Sequence, residues 1–98
     1  MAQPIYKSWF AKYTEAWYSL SQGEQNALSA QNEASMKKVG GELVLFCFSV
    51  SSEEWGGWGV EKYPSFEALQ QRQQDLMAMN WFRYFDAKTY LGVEMPPA

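Results

Sequence analysis

Residues 42–50, Glu-Leu-Val-Leu-Phe-Cys-Phe-Ser-Val, constrain the fold more than any other stretch of this chain. Apolar side chains stand on both parities, with Val44, Phe46, Phe48 and Val50 alternating against Leu43, Leu45 and Cys47. Successive side chains of a β-strand point to opposite faces. The segment therefore reads as a strand buried on both sides, a demand that is hard to meet in a single small domain. The chain has 98 residues, which allows one core. It is read as one domain over 1–98, with residues 96–98 as a tail.

The rest of the chain supplies strands and helices to surround that segment. Residues 4–13, Pro-Ile-Tyr-Lys-Ser-Trp-Phe-Ala-Lys-Tyr, are rich in β-favouring side chains and place Ile5, Trp9 and Tyr13 opposite Tyr6, Ser8 and Phe10. Ser21-Gln22-Gly23-Glu24 forms a capping box and predicts a helix over 22–38. Lys37 and Lys38 suit its negative end, and Gly40-Gly41 allow left-handed termination. The preceding 14–20 predict an extra helical turn that carries Trp17 and Leu20 inward. After 42–50, Ser-Ser-Glu-Glu at 51–54 gives a turn, and 55–63 resume as a strand, making a hairpin. Parity puts Trp55, Gly57 and Gly59 on one face of it and Gly56, Trp58 and Val60 on the other, so the glycines predict a trough for a ring of a partner or a ligand. Pro64 stops the strand and Ser65 caps a second helix, 66–85, with Phe66, Leu69, Leu76, Met77 and Asn80 or Trp81 near one side and Gln70, Gln71, Gln73 and Gln74 outside. Residues 86–95 alternate as a last strand.

The order strand, helix, strand, strand, helix, strand is the ferredoxin-like βαββαβ plan, an α+β fold with a four-stranded antiparallel sheet and two helices on one face. Its other face should be polar if it met water. The chain instead carries 5 Trp, 6 Tyr and 6 Phe and is 47% hydrophobic. Two sheets packed face to face would bury this surplus. At roughly 25 cal/mol per Å², about 800 Å² of apolar area per partner gives a driving force large enough to oppose association entropy. A homodimer is expected.

Several classes are disfavoured. The net charge is −3 and the eight basic residues form no stripe, so nucleic acid is not an expected partner. The longest apolar run is too short to span a bilayer and the first ten residues do not read as a leader, which predicts a soluble, cytoplasmic protein with no membrane partner. The sequence holds no histidine, which removes Ser-His-Asp and Cys-His nucleophile systems and histidine metal ligation. No metal and no cofactor are assigned, and no catalytic residue is identified. Cys47 reads as a small buried hydrophobe. Glu53 and Glu54 read as a solvated turn.

In element order, and in the passage Gly57-Trp58-Gly59-Val60-Glu61-Lys62-Tyr63-Pro64-Ser65-Phe66-Glu67-Ala68-Leu69, where a strand runs through Tyr-Pro into the second helix, the chain resembles the dimeric α/β-barrel superfamily. That superfamily includes antibiotic-biosynthesis-type monooxygenases and stress-responsive barrel proteins. The resemblance spans nearly the whole chain. It implies a small apolar or aromatic ligand in a cleft or in the barrel interior. It also implies a site drawn from Trp, Tyr, Asn and Arg side chains, here Tyr6, Trp9, Trp58, Asn80, Trp81, Arg83 and Tyr90. Histidine-dependent members of the superfamily are not a guide, since the chain has none. Each residue has a competing role: the rings as core or interface filling, and Arg83 as an ion-pair partner of Asp75 or Asp86. Two function classes stay open: a small-ligand protein, as a cofactor-independent oxygenase or isomerase, and a non-catalytic homodimeric binding or interaction module.

Overall fold

The computed structural model describes residues 3–51 and 53–96. Among these, strands β1 (Ile5–Tyr13), β2 (Glu42–Phe48), β3 (Gly57–Tyr63) and β4 (Phe85–Gly92) form one antiparallel sheet in the order β2-β3-β1-β4. Helix α2 (Gln22–Lys38) follows β1 after a single turn, α1 (Glu15–Tyr18), and helix α3 (Phe66–Ala78) leads through a second turn, α4 (Trp81–Tyr84), into β4. This is the ferredoxin-like α+β plan, with the two long helices on one face.

Local chemistry sets most element ends. Ser21 Oγ accepts from Glu24 N at 3.1 Å while Glu24 Oε1 accepts from Ser21 N at 2.9 Å, the reciprocal capping box. Gly40 ends α2 at φ +73°, which an L side chain would resist. Ser65 Oγ caps α3 through Ala68 N. The second helix, expected to run unbroken to residue 85, breaks instead at Asn80, whose φ of 61° is left-handed. Asparagine is among the few non-glycine residues that tolerate this conformation, so the chain turns there and starts α4. The turn expected at 51–54 includes Ser52, which lies outside the described residues.

The core sits between the sheet and the long helices, where Leu28, Tyr63, Leu69 and Leu76 are buried. The inward stripe of α3 is Leu69, Arg72 and Leu76, whereas Phe66 and Met77, expected inside, are exposed. The largest correction concerns β2. It is an edge strand, and in the single chain Leu43, Val44, Leu45, Phe46 and Phe48 are all exposed rather than buried on both faces. A register shift between Leu43 and Leu45 contributes to the two-sided pattern. Leu43 stands opposite Glu61 on the helix-facing side, Leu45 opposite Val60 on the open side, and Phe46 opposite Gly59 on the helix-facing side again. The apolar pattern thus changes parity at a bulge.

Candidate functional site

Pairing across β3, β1 and β4 sorts the expected site residues by face. Lys7, Gly57, Gly59 and Tyr63 are buried under the helices, so the odd positions of β1 face inward and the even ones face out to the open side. Trp9 lies on the helix side and Tyr6, Trp58 and Tyr90 on the open side. Asn80, Trp81 and Arg83 belong to neither group, because they sit in the connection into β4. The seven residues therefore occupy three places.

The glycine trough is real and already filled. A Cβ on Gly59 would lie 2.8 Å from Trp9 Cζ2, and one on Gly57 would lie 3.1 Å from Phe46 Cε1. Trp9 and Phe46 pack against each other with ring centroids 5.4 Å apart. The occupants expected from a partner or a ligand are this chain's own rings. Trp9 Nε1 is buried there without a hydrogen-bond partner among the described residues.

Trp81 joins a separate aromatic cluster at the end of the helix-facing side. It stacks on Phe85 at 4.1 Å, Phe85 meets Tyr13 and Trp17 at 5.2 and 5.1 Å, and Tyr13 stacks on Trp17 at 4.8 Å. Thr14 ties α1 to α4 by donating its hydroxyl to Arg83 O at 2.7 Å and its amide to Tyr84 O at 3.1 Å. These contacts hold the chain ends of β1 and β4 together. Arg83 lies over the Tyr84 ring at 6.0 Å, while Asp75 is taken by Lys38 at 2.9 Å.

Between sheet and helices lies a polar group that sequence reasoning passed over. Lys7 and Glu61 are direct cross-strand partners, the Tyr63 hydroxyl donates to Glu61 Oε1, and Arg72 reaches across from α3 to donate to the carbonyl and side-chain oxygens of Asn32 in α2. Burial pushes the Lys7 ammonium below its ordinary value. Burial and the adjacent Glu61 charge push the Tyr63 phenol well above its own. A phenol kept protonated and aimed at a carboxylate stabilises structure here. The available signal was Glu61 and Tyr63 sharing a face with the inward positions of β1. Among the described residues no group of three or more acidic or cysteine side chains is placed to hold a metal ion, and no helix is long and apolar enough to cross a membrane.

The open face has the anatomy of a site. Its register rows run Glu42–Lys62–Tyr6–Gly92, Leu45–Val60–Ser8–Tyr90 and Cys47–Trp58–Phe10–Lys88, with Lys12 opposite Asp86 beyond. The middle is apolar and aromatic, and each end carries an acid and a base. At the Tyr6 and Tyr90 end lies a largely apolar hollow of about 400 Å³, bounded by Tyr6, Ser8, Tyr90, Leu91, Gly92 and Glu94. That volume falls within the range of small-ligand sites.

Solved structures share this arrangement. A protein of unknown function from Rhodopseudomonas palustris superposes with a TM-score of 0.63 at 14% identity, covering 99% of this chain and 86% of that one. SnoaB, a cofactor-independent oxygenase from Streptomyces nogalater, gives 0.52 at 10% identity over 98% of this chain and 97% of its own. A hypothetical protein from Arabidopsis thaliana gives 0.53 at 10% identity over 98% and 92%. No protein-family model matches the chain, and no curated protein matches it by sequence. The likenesses show the fold, a ferredoxin-like α+β one.

Proposed function

We propose that the protein is a homodimeric small-molecule-binding protein whose two sheets pair through their open faces and enclose an apolar or aromatic ligand. One observation carries this reading: an apolar, aromatic face bordered by charged rows contains a hollow of ligand size, with Trp58 and Tyr90 exposed on it in the single chain. An apolar centre within a polar rim is how interfaces are built. The rows suit a second copy because each end carries both signs of charge, so neither sense of two-fold pairing sets like against like alone. A hollow on an open sheet leaves a ligand largely in water, whereas binding sites bury most of theirs. A second sheet laid over it supplies the missing wall.

The enzymatic form of this reading is a cofactor-independent oxygenase, the activity named for SnoaB, which shares the fold. The other reading, a non-catalytic interaction module, draws support from edge strand β2, whose Phe46 and Phe48 are exposed on the helix-facing side.

Light scattering at micromolar concentration, combined with a tryptophan-fluorescence screen of phenols and quinones, tests the proposal. A dimer that shows saturable quenching, with both properties lost in Phe10→Asp, is the expected result. A stable monomer near 11.3 kDa would overturn it. An intact dimer that binds none of the compounds leaves the interaction module instead. Oxygen uptake with a bound phenol no faster than without protein removes the oxygenase form alone.

A further inference from the structure

We infer that Lys7 is a carbonyl-capturing amine, which condenses with a small uncharged aldehyde to form an imine in the layer between the sheet and the helices. The amine lies on the face of the sheet opposite the hollow and depends neither on that hollow nor on a second copy. Charge balance is the first reason. Lys7 and Arg72 are both buried, 8% and 3% exposed, and Glu61, directly opposite Lys7 on β3, is the carboxylate whose charge reaches the lysine. Glu61 already accepts from the Tyr63 hydroxyl. Among the described residues no hydrogen bond or ion pair holds the Lys7 amine. Two buried cations would thus share one carboxylate that is partly engaged elsewhere, and a buried charge without its own partner is costly. The lysine can shed its charge, whereas the guanidinium cannot.

The surroundings set the chemistry and the class of ligand. The charged and titratable groups around Lys7 are Glu61 and Tyr63 of β3 and Arg72 of α3, while β4 places Leu91 opposite it and α2 brings only Asn32 and Met36 to the cluster. Burial acts most strongly against the ammonium, Glu61 supports it and Arg72 opposes it. A lysine desolvated beside another cation is a nucleophile at neutral pH. Trp9 Nε1 and Arg72 Nε are fully covered nitrogens without a partner, and Lys7 Nζ is not one of them. The amine is therefore unpartnered but not sealed, and so narrow an opening admits only a small molecule. A charged ligand would lose its hydration on entry, which favours an uncharged one. Nζ adds to the carbonyl carbon, and the two protons of the amine leave with the carbonyl oxygen as water. Amine and aldehyde thus give imine and water, with no oxidant or reductant consumed.

The test exposes the full-length protein to propanal with sodium cyanoborohydride, which reduces the imine to a stable secondary amine. Mass spectrometry of the peptides follows each lysine as pH is varied. Expected is labelling of Lys7 at mildly acidic pH at least about fivefold faster than of the exposed Lys12, Lys37 and Lys88, an advantage lost in guanidinium chloride. Glu61→Gln removes the charge that favours the ammonium, so half-maximal labelling of Lys7 should move to lower pH. Arg72→Met removes the charge that opposes it and should move the midpoint to higher pH. If circular dichroism shows the Arg72→Met chain unfolded, the Glu61→Gln shift decides alone. Lys7 labelled no faster than the exposed lysines, or a Glu61→Gln midpoint that stays in place or moves to higher pH, overturns the proposal.

Discussion

Replacing Gly59 with alanine adds one methyl group, and the structure says where that methyl would go. An ideal Cβ there lies 2.6 Å from Leu45 O, 2.8 Å from Trp9 Cζ2 and 3.0 Å from Trp9 Cε2. The first neighbour is backbone of the adjoining strand, so relief requires β2 to move away from β3. The others belong to an indole already packed against Phe46. Forcing extra volume into a packed site costs about 1–3 kcal/mol. The loss of glycine's freedom in the unfolded chain returns roughly 0.4–1 kcal/mol. A net loss of about 1–2 kcal/mol remains, which lowers the melting temperature of a domain this size by roughly 5–15 °C. Circular-dichroism melts of wild type, Gly59→Ala and Gly92→Ala at one fixed protein concentration measure it, because a Cβ on Gly92 meets nothing within 4 Å. Fixing the concentration matters because dimerisation adds to apparent stability. Gly59→Ala melting at or above the wild-type temperature would refute the claim that Trp9 and Leu45 close the trough.

Three further outcomes are expected. Asp75 accepts from Ser35, Lys38 and Gln71, which pull its carboxyl from the ordinary 3.8 down to about 2. Its stabilising effect is therefore present above pH 4 and lost as pH falls towards 2. Asp75→Asn should cost about 1 kcal/mol at neutral pH, a value discounted for the solvent around Lys38, and the gap in urea midpoint should close with acidification. Tyr63 is held protonated above its ordinary range, so its contribution is intact below pH 10 and declines as pH rises beyond it. Tyr63→Phe should remove that alkaline dependence and cost about 1–3 kcal/mol at neutral pH by leaving Glu61 without its hydroxyl donor. In α3, Leu76→Ala should cost about 2–5 kcal/mol by urea denaturation and Met77→Ala less than about 0.5, since Leu76 is 2% and Met77 64% exposed.

What was legible in the sequence is what short-range chemistry decides. The capping box, the lysines and Gly40 marked α2 residue by residue, and the alternation in β1 sorted Trp9 from Tyr6 correctly. The break at Asn80 was less legible, because one asparagine inside an otherwise helical pattern differs from its neighbours only in tolerating φ of 61°. Arg72 was unreadable as a buried residue, since two of its guanidinium contacts are to Asn32, 40 positions away. The seven candidate rings and polar groups shared a composition but not a location. Parity fixes the face of a strand residue, and only cross-strand register fixes its neighbours, so Trp9 could not be seen to meet Gly59, nor Tyr6 to stand diagonal to Tyr90.

The same distinction resolves the segment at 42–50. Its two-sided apolar pattern implied a strand enclosed from above and below, yet the strand lies at the sheet's edge. The bulge divides its side chains. Leu43, Phe46 and Phe48 turn to the helix-facing side, where Phe46 closes over Gly57 beside Trp9, while Leu45 and Cys47 turn to the open face beside Val60 and Trp58. Removing the bulge would move every residue beyond Leu43 to the opposite face. Phe46 would then leave the glycine floor, and Trp9 would lose the ring that packs against it. The irregularity at Val44 is thus what lets one edge strand fill a trough in its own core and extend the apolar surface on the other side. On that other side the surface runs from Leu45 through Val60 and Ser8 to Tyr90, which places one border of the open-face hollow in the same register row as the residue that follows the bulge.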